Sequence, residues 1–184
     1  MTNRSTCILF GDGAGAVLLQ ATDVPCGSFA FELRSDGSRA DAIIARAPGA
    51  SVPLSSHVLE ERLQYTQMDG PRVYRFATQT VRTSLEHVAS QSGIGLDEVD
   101  LFILHQANAR ILTHIAYQLD LPIEKVAQNL DRYANTSSAS IPIALSEALT
   151  NGRAQTGSLL ALSGFGTGLS WATTLFSIGP TSIL

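Results

Sequence analysis

The sequence has few cysteines and no excess of basic residues. Cys7 and Cys26 are its two cysteines among 184 residues, and they form no CxxC pair of the kind that binds zinc. We expect no metal site and two reduced thiols, with one disulfide between them as the alternative. Lys and Arg number 12 against 16 Asp and Glu, a formal net charge of -4. This balance argues against a general nucleic-acid binder, which normally presents a basic surface.

Long apolar runs are also absent. A helix that crosses a membrane needs about 18 to 20 predominantly apolar residues, and no segment reaches that length. Residues 1–6 are mostly polar and lack the basic, apolar and cleavage regions of a secretory signal peptide. We therefore expect a cytoplasmic protein with no membrane association.

The chain does contain the alternation of strands and helices that is typical of an α/β protein. Hydrophobic residues make up 45% of it and charged residues 15%, the ordinary mixture of a folded domain. The patterns predict strands over 7–10, 16–20, 28–35, 101–104, 158–165 and 170–177, and helices over 71–92, 107–119, 122–127 and 139–150. This order favours a mixed sheet flanked by helices. We predict one unit over 1–184, with strands and a loop-rich excursion in 1–70 and the remaining elements in 71–184.

Polar or glycine-rich segments lie beside buried elements at three places. His105 follows the strand 101–104, and the carboxyl end of a strand is where α/β sheets gather ligands. Asn135 lies in the loop before the helix 139–150, where its amide could donate to the same oxygen as His105. The turn 163–168, SGFGTG, is rich in glycine, which lets backbone N–H groups approach a reacting centre closely. Donors of this kind stabilise negative charge that develops on oxygen.

Each place also has a purely structural interpretation. A lone histidine is often a core residue bonded to the backbone, and Ser137 and Ser138 are better interpreted as caps of the next helix. A glycine-rich turn by itself is more typical of a tight connection between strands. The segment 11–15, GDGAG, fits neither a dinucleotide fingerprint nor a P-loop, so we interpret it as a turn between two strands.

The motifs taken together resemble ketoacyl-ACP synthase III of the thiolase-like superfamily. The resemblance rests on FGDGAGAVLL (10–19), HQANARI (105–111), YANTSSASIPIAL (133–145) and GFGTGLSW (164–171). It covers nearly the whole chain and maps to the later half of a family protein. It implies a thiolase-like α/β fold in which this chain is the C-terminal half of an αβαβα layered structure.

The resemblance also implies a decarboxylative Claisen condensation of an acyl-CoA primer with malonyl-ACP, in fatty acid or polyketide biosynthesis. His105 and Asn135 would both hold the malonyl thioester carbonyl. A backbone N–H near Thr167 would face the oxyanion of the acyl-enzyme, and Ala107 and Asn108 match positions that line the pantetheine tunnel. Acyl-CoA and malonyl-ACP would be substrates, and no cofactor or metal would be needed.

The family docks an acyl carrier protein through basic residues. Arg110 matches the family arginine that faces the acidic helix of the carrier protein. Arg75, with Arg72 and Lys125, could extend it into a local basic patch, with ordinary solvated surface as the alternative for Arg72 and Lys125.

The nucleophilic cysteine of the family has no counterpart in this sequence. In the family it lies at a strand-to-helix turn, whereas Cys7 falls in an apolar run and Cys26 follows a proline, so we interpret both as structural. The implied partners are acyl carrier protein, acyl-CoA and an N-terminal half that carries the cysteine, with a homodimer when complete. An exposed apolar face is expected where that half would pack.

Two other functions stay open. The chain could be a non-catalytic module that docks the carrier protein, or an acyltransferase of the same fold that uses oxygen or nitrogen acceptors. Asn135 favours the condensation, because pure acyl transfer does not need a second donor at an enolate.

Overall fold

The computed structural model describes residues 4–180. Its strands are β1 (Gly27–Ser35), β2 (Ile43–Ile44), β3 (Gln67–Met68), β4 (Leu101–Leu104), β5 (Leu159–Gly166) and β6 (Ser170–Ser177). Its helices are α1 (Arg4–Cys7), α2 (Ser56–Glu60), α3 (Gly70–Ser92), α4 (Ala109–Gln118), α5 (Leu130–Tyr133) and α6 (Ser140–Thr150). Turns of 3-10 helix cover Gly37–Ala42, Leu96–Glu98, Ile123–Lys125 and Ser137–Ala139.

The main sheet has four strands in the order β1-β6-β5-β4. β1 and β5 run antiparallel to β6, whereas β4 runs parallel to β5. β5 and β6 form a hairpin, and the hydroxyls of Ser163 and Thr173 are 2.7 Å apart across it. The predicted mixed sheet is therefore confirmed, and four of the six predicted strands form it, each correct to within one residue.

The long helix α3 begins where its capping residues predict. The Asp69 carboxylate accepts the backbone N–H of Arg72 at 3.1 Å, and Pro71 lies in the first turn. Gly93 ends the helix with a φ of 72°, a conformation that glycine adopts without strain. The face that packs on the sheet buries Val73, Phe76, Val81, Leu85 and Val88.

Helices cover both faces of the main sheet. α3 and α4 pack on one face around Phe102 and Leu175, which are fully buried. α6 packs on the other face, around Leu101, Ile103 and Leu160. Successive residues of β4 thus enter opposite cores, as the pleat of a strand requires. The three layers confirm the predicted α/β class with helices on both sides of the sheet.

The prediction of strands over 7–10 and 16–20 is wrong. Phe10 forms an isolated bridge to Asn135, and residues 11–22 have no regular secondary structure. Val17, Leu18 and Leu19 are 60%, 82% and 81% exposed. A strand needs a hydrogen-bonded neighbour, and no described strand lies beside residues 16–20.

Residues 37–70 contain short elements joined by loops. Among them, β2 and β3 pair antiparallel, with Ile43 opposite Met68. Ala42 is fully buried and clusters with Phe76 and Leu169. Through this cluster, residues 37–70 pack against α3 and against the end of the turn between β5 and β6.

Two predicted helices are shorter in the structure. The helix predicted over 107–119 spans Ala109–Gln118, because Asn108 takes an extended conformation and caps it. The helix predicted over 122–127 is reduced to one 3-10 turn, Ile123–Lys125. Val126 after that turn is extended and bridges to Phe102, so pairing with β4 replaces the last helical residues.

One part of the sheet has an apolar face that no described element covers. Ala30 packs into the core under α3 and Glu32 hydrogen-bonds Ser84 of α3, so Phe31 and Leu33 point to the opposite face. They are 63% and 72% exposed. Leu33 lines an open depression of about 650 Å³ together with Gly164, Phe165, Ser170, Trp171 and Ala172. An exposed apolar face of this kind was expected from the sequence.

Among residues 4–180, none of the helices combines the length and apolar character that a membrane crossing requires.

The exposed face of β1 should make the isolated chain self-associate, because large contiguous apolar surface is rarely left in water. The double change Phe31→Thr and Leu33→Thr keeps strand-forming residues and should raise the monomer fraction about tenfold in sedimentation velocity. Tyr117→Gln, which removes an 84% exposed aromatic on α4, is the matched control and should leave the distribution unchanged. Equal association of all three proteins would contradict this prediction.

Candidate active site

The parallel pairing of β4 with β5 places His105 at the carboxyl edge of the main sheet. The backbone N–H of His105 donates to the carbonyl of Ser163 at 2.8 Å, which continues the ladder beyond β4. The ring of His105 meets the ring of Phe165 edge-on, with centroids 5.2 Å apart. The HQANARI segment and the GFGTG turn, separate in sequence, therefore meet at this edge.

Ser140, the first residue of α6, brings the Asn135 loop to the same place. Its Oγ lies 2.7 Å from Nδ1 of His105 and accepts the backbone N–H of Gln106 at 3.2 Å. The hydroxyl can accept this hydrogen bond and also donate its own proton to Nδ1. In that tautomer the ring proton is on Nε2, which is then a donor.

The surroundings of His105 keep its ring neutral. Burial lowers the pKa of His105 to about 4, because an environment that excludes water disfavours the imidazolium ion. At neutral pH the ring therefore carries no charge. A neutral imidazole can donate a hydrogen bond to a carbonyl oxygen and strengthen that bond as negative charge develops there.

Asn135 is buried, with 7% of its surface exposed, and it is held by both backbone and side chain. Its Oδ1 accepts the backbone N–H of Ser137 at 2.8 Å. Its backbone N–H donates to the Leu9 carbonyl at 3.0 Å, and its carbonyl accepts the Gly11 N–H at 2.9 Å. With Oδ1 engaged, the amide NH₂ is the group that Asn135 can offer to a ligand.

The glycines of segment 11–15 allow that segment to pack on the Asn135 loop. A Cβ at Gly11 would collide with the carbonyl oxygen of Tyr133, and a Cβ at Gly15 would lie 2.7 Å from Cγ of Pro142. The interpretation of this segment as a turn between two strands is therefore wrong. Glycine is needed here for close approach to the loop, and the contact holds the backbone of Asn135.

The GFGTG segment forms the turn of the β5–β6 hairpin. Thr167 is exposed in this turn. Leu169 is fully buried and exchanges backbone hydrogen bonds with Asp36, at 2.7 and 3.1 Å. On the C-terminal side of Thr167 the turn is held by the Leu169–Asp36 hydrogen bonds. On the N-terminal side, Phe165 contacts His105. A role for the Thr167 N–H at an oxyanion stays a prediction.

Ala107, Asn108 and Arg110 follow His105 directly along the chain. Asn108 caps α4, since its Oδ1 accepts the backbone N–H of Arg110 at 2.8 Å. Ala107 is partly buried, and Arg110 is exposed in the first helical turn. Arg75 is exposed on α3, which packs against α4. The two arginines thus lie on adjacent helices of the same outer layer.

The other two basic residues considered for this patch have different partners. Arg72 forms an ion pair with Asp41 at 2.8 Å. The Lys125 ammonium donates to the carbonyls of Asp97 and Val99, both at 2.8 Å. A docking role for Arg75 and Arg110 stays a prediction.

The sequence did not identify Ser140, and it assigned the wrong role to its neighbours. The N-cap of α6 is Ala139, with no side-chain cap, so neither Ser137 nor Ser138 caps that helix. The backbone N–H of Ser137 instead donates to Oδ1 of Asn135. A buried imidazole needs a hydrogen-bond partner, but the sequence cannot tell which hydroxyl of this loop turns toward it.

The cysteines lie away from the positions that activate a thiol. Cys7 is exposed at the end of α1, and Cys26 is partly buried just before β1. Neither is at a helix N-terminus, where a thiol is activated. Within residues 4–180, no three His, Cys, Asp or Glu residues come together as metal ligands.

Two models of one protein family match the chain. The model described as 3-oxoacyl-[acyl-carrier-protein (ACP)] synthase III C terminal matches residues 89–178. The model described as 3-oxoacyl-[acyl-carrier-protein (ACP)] synthase III matches residues 1–37. Together the two matches cover more than half of the chain, and His105, Asn135 and Thr167 lie within the first.

Curated relatives and solved structures carry the same description. The β-ketoacyl-[acyl-carrier-protein] synthases III of Synechococcus elongatus and Microcystis aeruginosa are 45% and 42% identical over 97% and 96% of this chain. The chain spans about half the length of these relatives, 53% and 54%. The crystal structure of 3-oxoacyl-(acyl carrier protein) synthase III from Pseudomonas aeruginosa PAO1 matches with a TM-score of 0.85 and 36% identity, over 98% of this chain and 54% of that one.

The lowered pKa of His105 should make stability depend on pH. The unfolded chain binds a proton at His105 below about pH 6.5, whereas the folded chain does so near pH 4, so the free energy of unfolding falls as pH falls through this window. We expect a loss of about 2 kcal/mol between about pH 7.5 and pH 5 from this residue, measured by urea denaturation. His105→Gln, which has no titrating ring, is the control and should lose less. The same pH dependence in both proteins would refute the assignment.

Proposed function

Because the chain belongs to the 3-oxoacyl-[acyl-carrier-protein] synthase III family, we propose that it supplies two hydrogen-bond donors for the condensation of an acyl-CoA primer with malonyl-ACP. Membership in this family confirms both the resemblance and the thiolase-like fold predicted from the sequence. The observation that carries the proposal is the neutral ring of His105, with Nδ1 bound to Ser140 and Nε2 left as the donor.

The first step that these donors serve is decarboxylation. The malonyl thioester carbonyl would accept hydrogen bonds from Nε2 of His105 and from the amide NH₂ of Asn135. The bond between the malonyl methylene and its carboxylate breaks, CO₂ leaves, and the electron pair becomes an enolate whose oxygen lies between the two donors. Neutral donors fixed before the reaction stabilise this charge without reorganisation, and each is commonly worth about 3 kcal/mol.

The second step forms the carbon–carbon bond. The enolate carbon attacks the carbonyl of an acyl group held as a cysteine thioester, and the backbone N–H near Thr167 would donate to the resulting oxyanion. Collapse of this intermediate breaks the carbon–sulfur bond, so that the thiolate leaves and a β-ketoacyl-ACP is released. Acyl-CoA acylates the cysteine beforehand. None of these steps requires a metal or another cofactor.

The cysteine itself would come from a second half of the enzyme. Cys7 is exposed and Cys26 lies before β1, away from any helix N-terminus of the described chain. Phe31 and Leu33 point to the side of the sheet that α6 covers, and Ser140 at the beginning of α6 contacts His105. An N-terminal half packed on this face would bring its cysteine to the His105 side of the sheet and bury the apolar surface.

The carrier protein would dock beside α4. Arg110 and Arg75 are exposed on adjacent helices, and Arg110 occupies the first turn of α4, where the helix dipole disfavours a cation. Its exposed guanidinium suits an acidic partner. Ala107 and Asn108 lie between Arg110 and His105, so pantetheine that extends from a docked carrier would pass them on its way to the site. Cytoplasmic location and a homodimer of the complete enzyme are further proposals that rest on family membership.

Replacing either donor should abolish decarboxylation and leave acylation intact. We expect His105→Ala and Asn135→Ala each to slow CO₂ release from malonyl-ACP about 10²- to 10³-fold. The assay combines this chain with the cysteine-bearing N-terminal half of the Synechococcus elongatus relative and follows labelled CO₂, with acylation measured by intact mass. His87→Ala, at a histidine whose side chain is 42% exposed, is the matched control.

Two results would contradict this mechanism. An acyl adduct on Cys7 or Cys26 after incubation with acyl-CoA would place the nucleophile in this chain. Transfer of acyl groups to alcohols or amines that is unaffected by Asn135→Ala would favour the acyltransferase alternative, since that reaction forms no enolate.

Reversing the charge of Arg110 should weaken carrier-protein binding. We expect Arg110→Glu to raise the Kd for acyl carrier protein about tenfold at low ionic strength, because the surface then repels an acidic helix. Arg82→Glu, on α3 in the same outer layer, is the matched control. Titration by fluorescence anisotropy at two salt concentrations measures both, and equal Kd values for wild type and Arg110→Glu would exclude this docking surface.

A further inference from the structure

One face of α6 contacts both of the segments that carry the candidate donors. Ser140 and Glu147 are seven residues apart, so they lie two turns apart on the same side of the helix. Ser140 contacts His105, as described above. Glu147 contacts the segment 129–133 that leads into Asn135.

Glu147 collects hydrogen bonds from three residues of that segment. Its carboxylate accepts from Nδ2 of Asn129 at 2.8 Å, from the hydroxyl of Tyr133 at 3.2 Å, and from the guanidinium of Arg132 in a two-point ion pair. Burial acts to raise the pKa of Glu147, but these hydrogen bonds and the charge of Arg132 outweigh it, so the pKa lies below its ordinary value. The carboxylate is therefore ionised at neutral pH and binds all three donors.

A second link connects the same segment to the end of β4. Gln106 is fully buried beside His105, and its Nε2 donates to the carbonyls of Leu104 and Ala127, at 2.8 and 3.0 Å. Its Oε1 accepts the backbone N–H of Asn129 at 3.2 Å. Asn129 thus joins Gln106 to Glu147. Both the amide nitrogen and the amide oxygen of the Gln106 side chain have hydrogen-bond partners.

The backbone around Asn135 is in a conformation that needs such support. Ala134, directly before Asn135, has a φ of 57° and a ψ of -155°, and Ser137, two residues after it, has a φ of 54°. Residues with a Cβ rarely adopt positive φ, and they hold it when surrounding contacts leave no alternative. On the Ala134 side, the Ala134 N–H donates to the carbonyl of Leu130 at 3.0 Å, and Glu147 holds the two residues before it, Arg132 and Tyr133.

We propose that Glu147 is a positioning residue for Asn135, which it fixes relative to His105 through Asn129, Arg132 and Tyr133. α6 then acts as a common support, with Ser140 orienting one donor and Glu147 orienting the loop of the other. The reaction that the two donors serve rests on the proposed function, whereas the positioning itself does not.

The test is nuclear magnetic resonance of the ¹⁵N-labelled full chain. In Glu147→Ala, we expect the side-chain amide signals of Asn135 to shift or broaden, and backbone amides over 130–137 to exchange at least tenfold faster with deuterium. The ring ¹⁵N shifts of His105 should stay unchanged, because the Ser140 contact is preserved. Glu86→Ala, at an exposed glutamate of α3 that pairs with Arg82, is the matched control and should change neither signal.

Glu147→Gln provides a milder variant that keeps the side-chain size and one acceptor oxygen. It should give the same Asn135 changes at smaller amplitude, and it decides the question if Glu147→Ala does not fold. Unchanged Asn135 signals in the folded variant would overturn the proposal, as would equal acceleration of exchange in α3, which would mean general destabilisation.

Release of labelled CO₂ in the assay with the N-terminal half separates this proposal from the proposed function. If Glu147→Ala alters the Asn135 signals while His105→Ala and Asn135→Ala leave CO₂ release unchanged, the proposed function fails and the positioning role stands. If His105→Ala and Asn135→Ala slow CO₂ release while Glu147→Ala leaves the Asn135 signals unchanged, the positioning role fails and the function stands.

Discussion

The contact between the Ser140 hydroxyl and Nδ1 of His105 joins the end of β4 to the beginning of α6. At one end it depends on the parallel β4–β5 pair, which carries His105 to the sheet edge. At the other end it depends on α6, which packs on the face of the sheet opposite to α3 and α4. Because a neutral imidazole has one donor and one acceptor, this single contact decides which ring nitrogen faces a ligand.

The sequence predicted the elements that have a clear pattern of their own. α3 has its own caps and a continuous apolar face, and the β5–β6 hairpin joins two adjacent strands across a short turn. β1 and β4 were also correct, from their apolar patterns, although their partners lie far along the chain. The segment 7–20 was predicted wrongly, because an apolar run becomes a strand when a neighbour pairs with it, and pairing is not encoded in the run itself. The helix beginning at Ala109 was predicted two residues too early, since an asparagine can be either a helical residue or a cap.

The candidate site divides in the same way. His105, Asn135 and Thr167 stand in motifs that the sequence makes visible, and the structure brings the His105 segment into contact with both of the others through Ser140 and Phe165. The roles of Ser140 and Glu147 could not be inferred from the sequence. Serine and glutamate are common polar residues of helices, and no sequence pattern distinguishes these two. Their roles arise from side-chain directions that tertiary packing alone defines.

The pairing of β1 with β6 also determines when the chain can complete its fold. Ser28 on β1 and Thr174 on β6 are in contact although 146 residues separate them. During synthesis, β1 and α3 leave the ribosome long before the strand that pairs with β1 exists. The α3–α4 layer can form early from near neighbours, whereas the edge strand must wait, exposed, for β6. Until β6 is made, the unpaired backbone and apolar side chains of β1 stay exposed, and exposed strand edges of this kind favour aggregation.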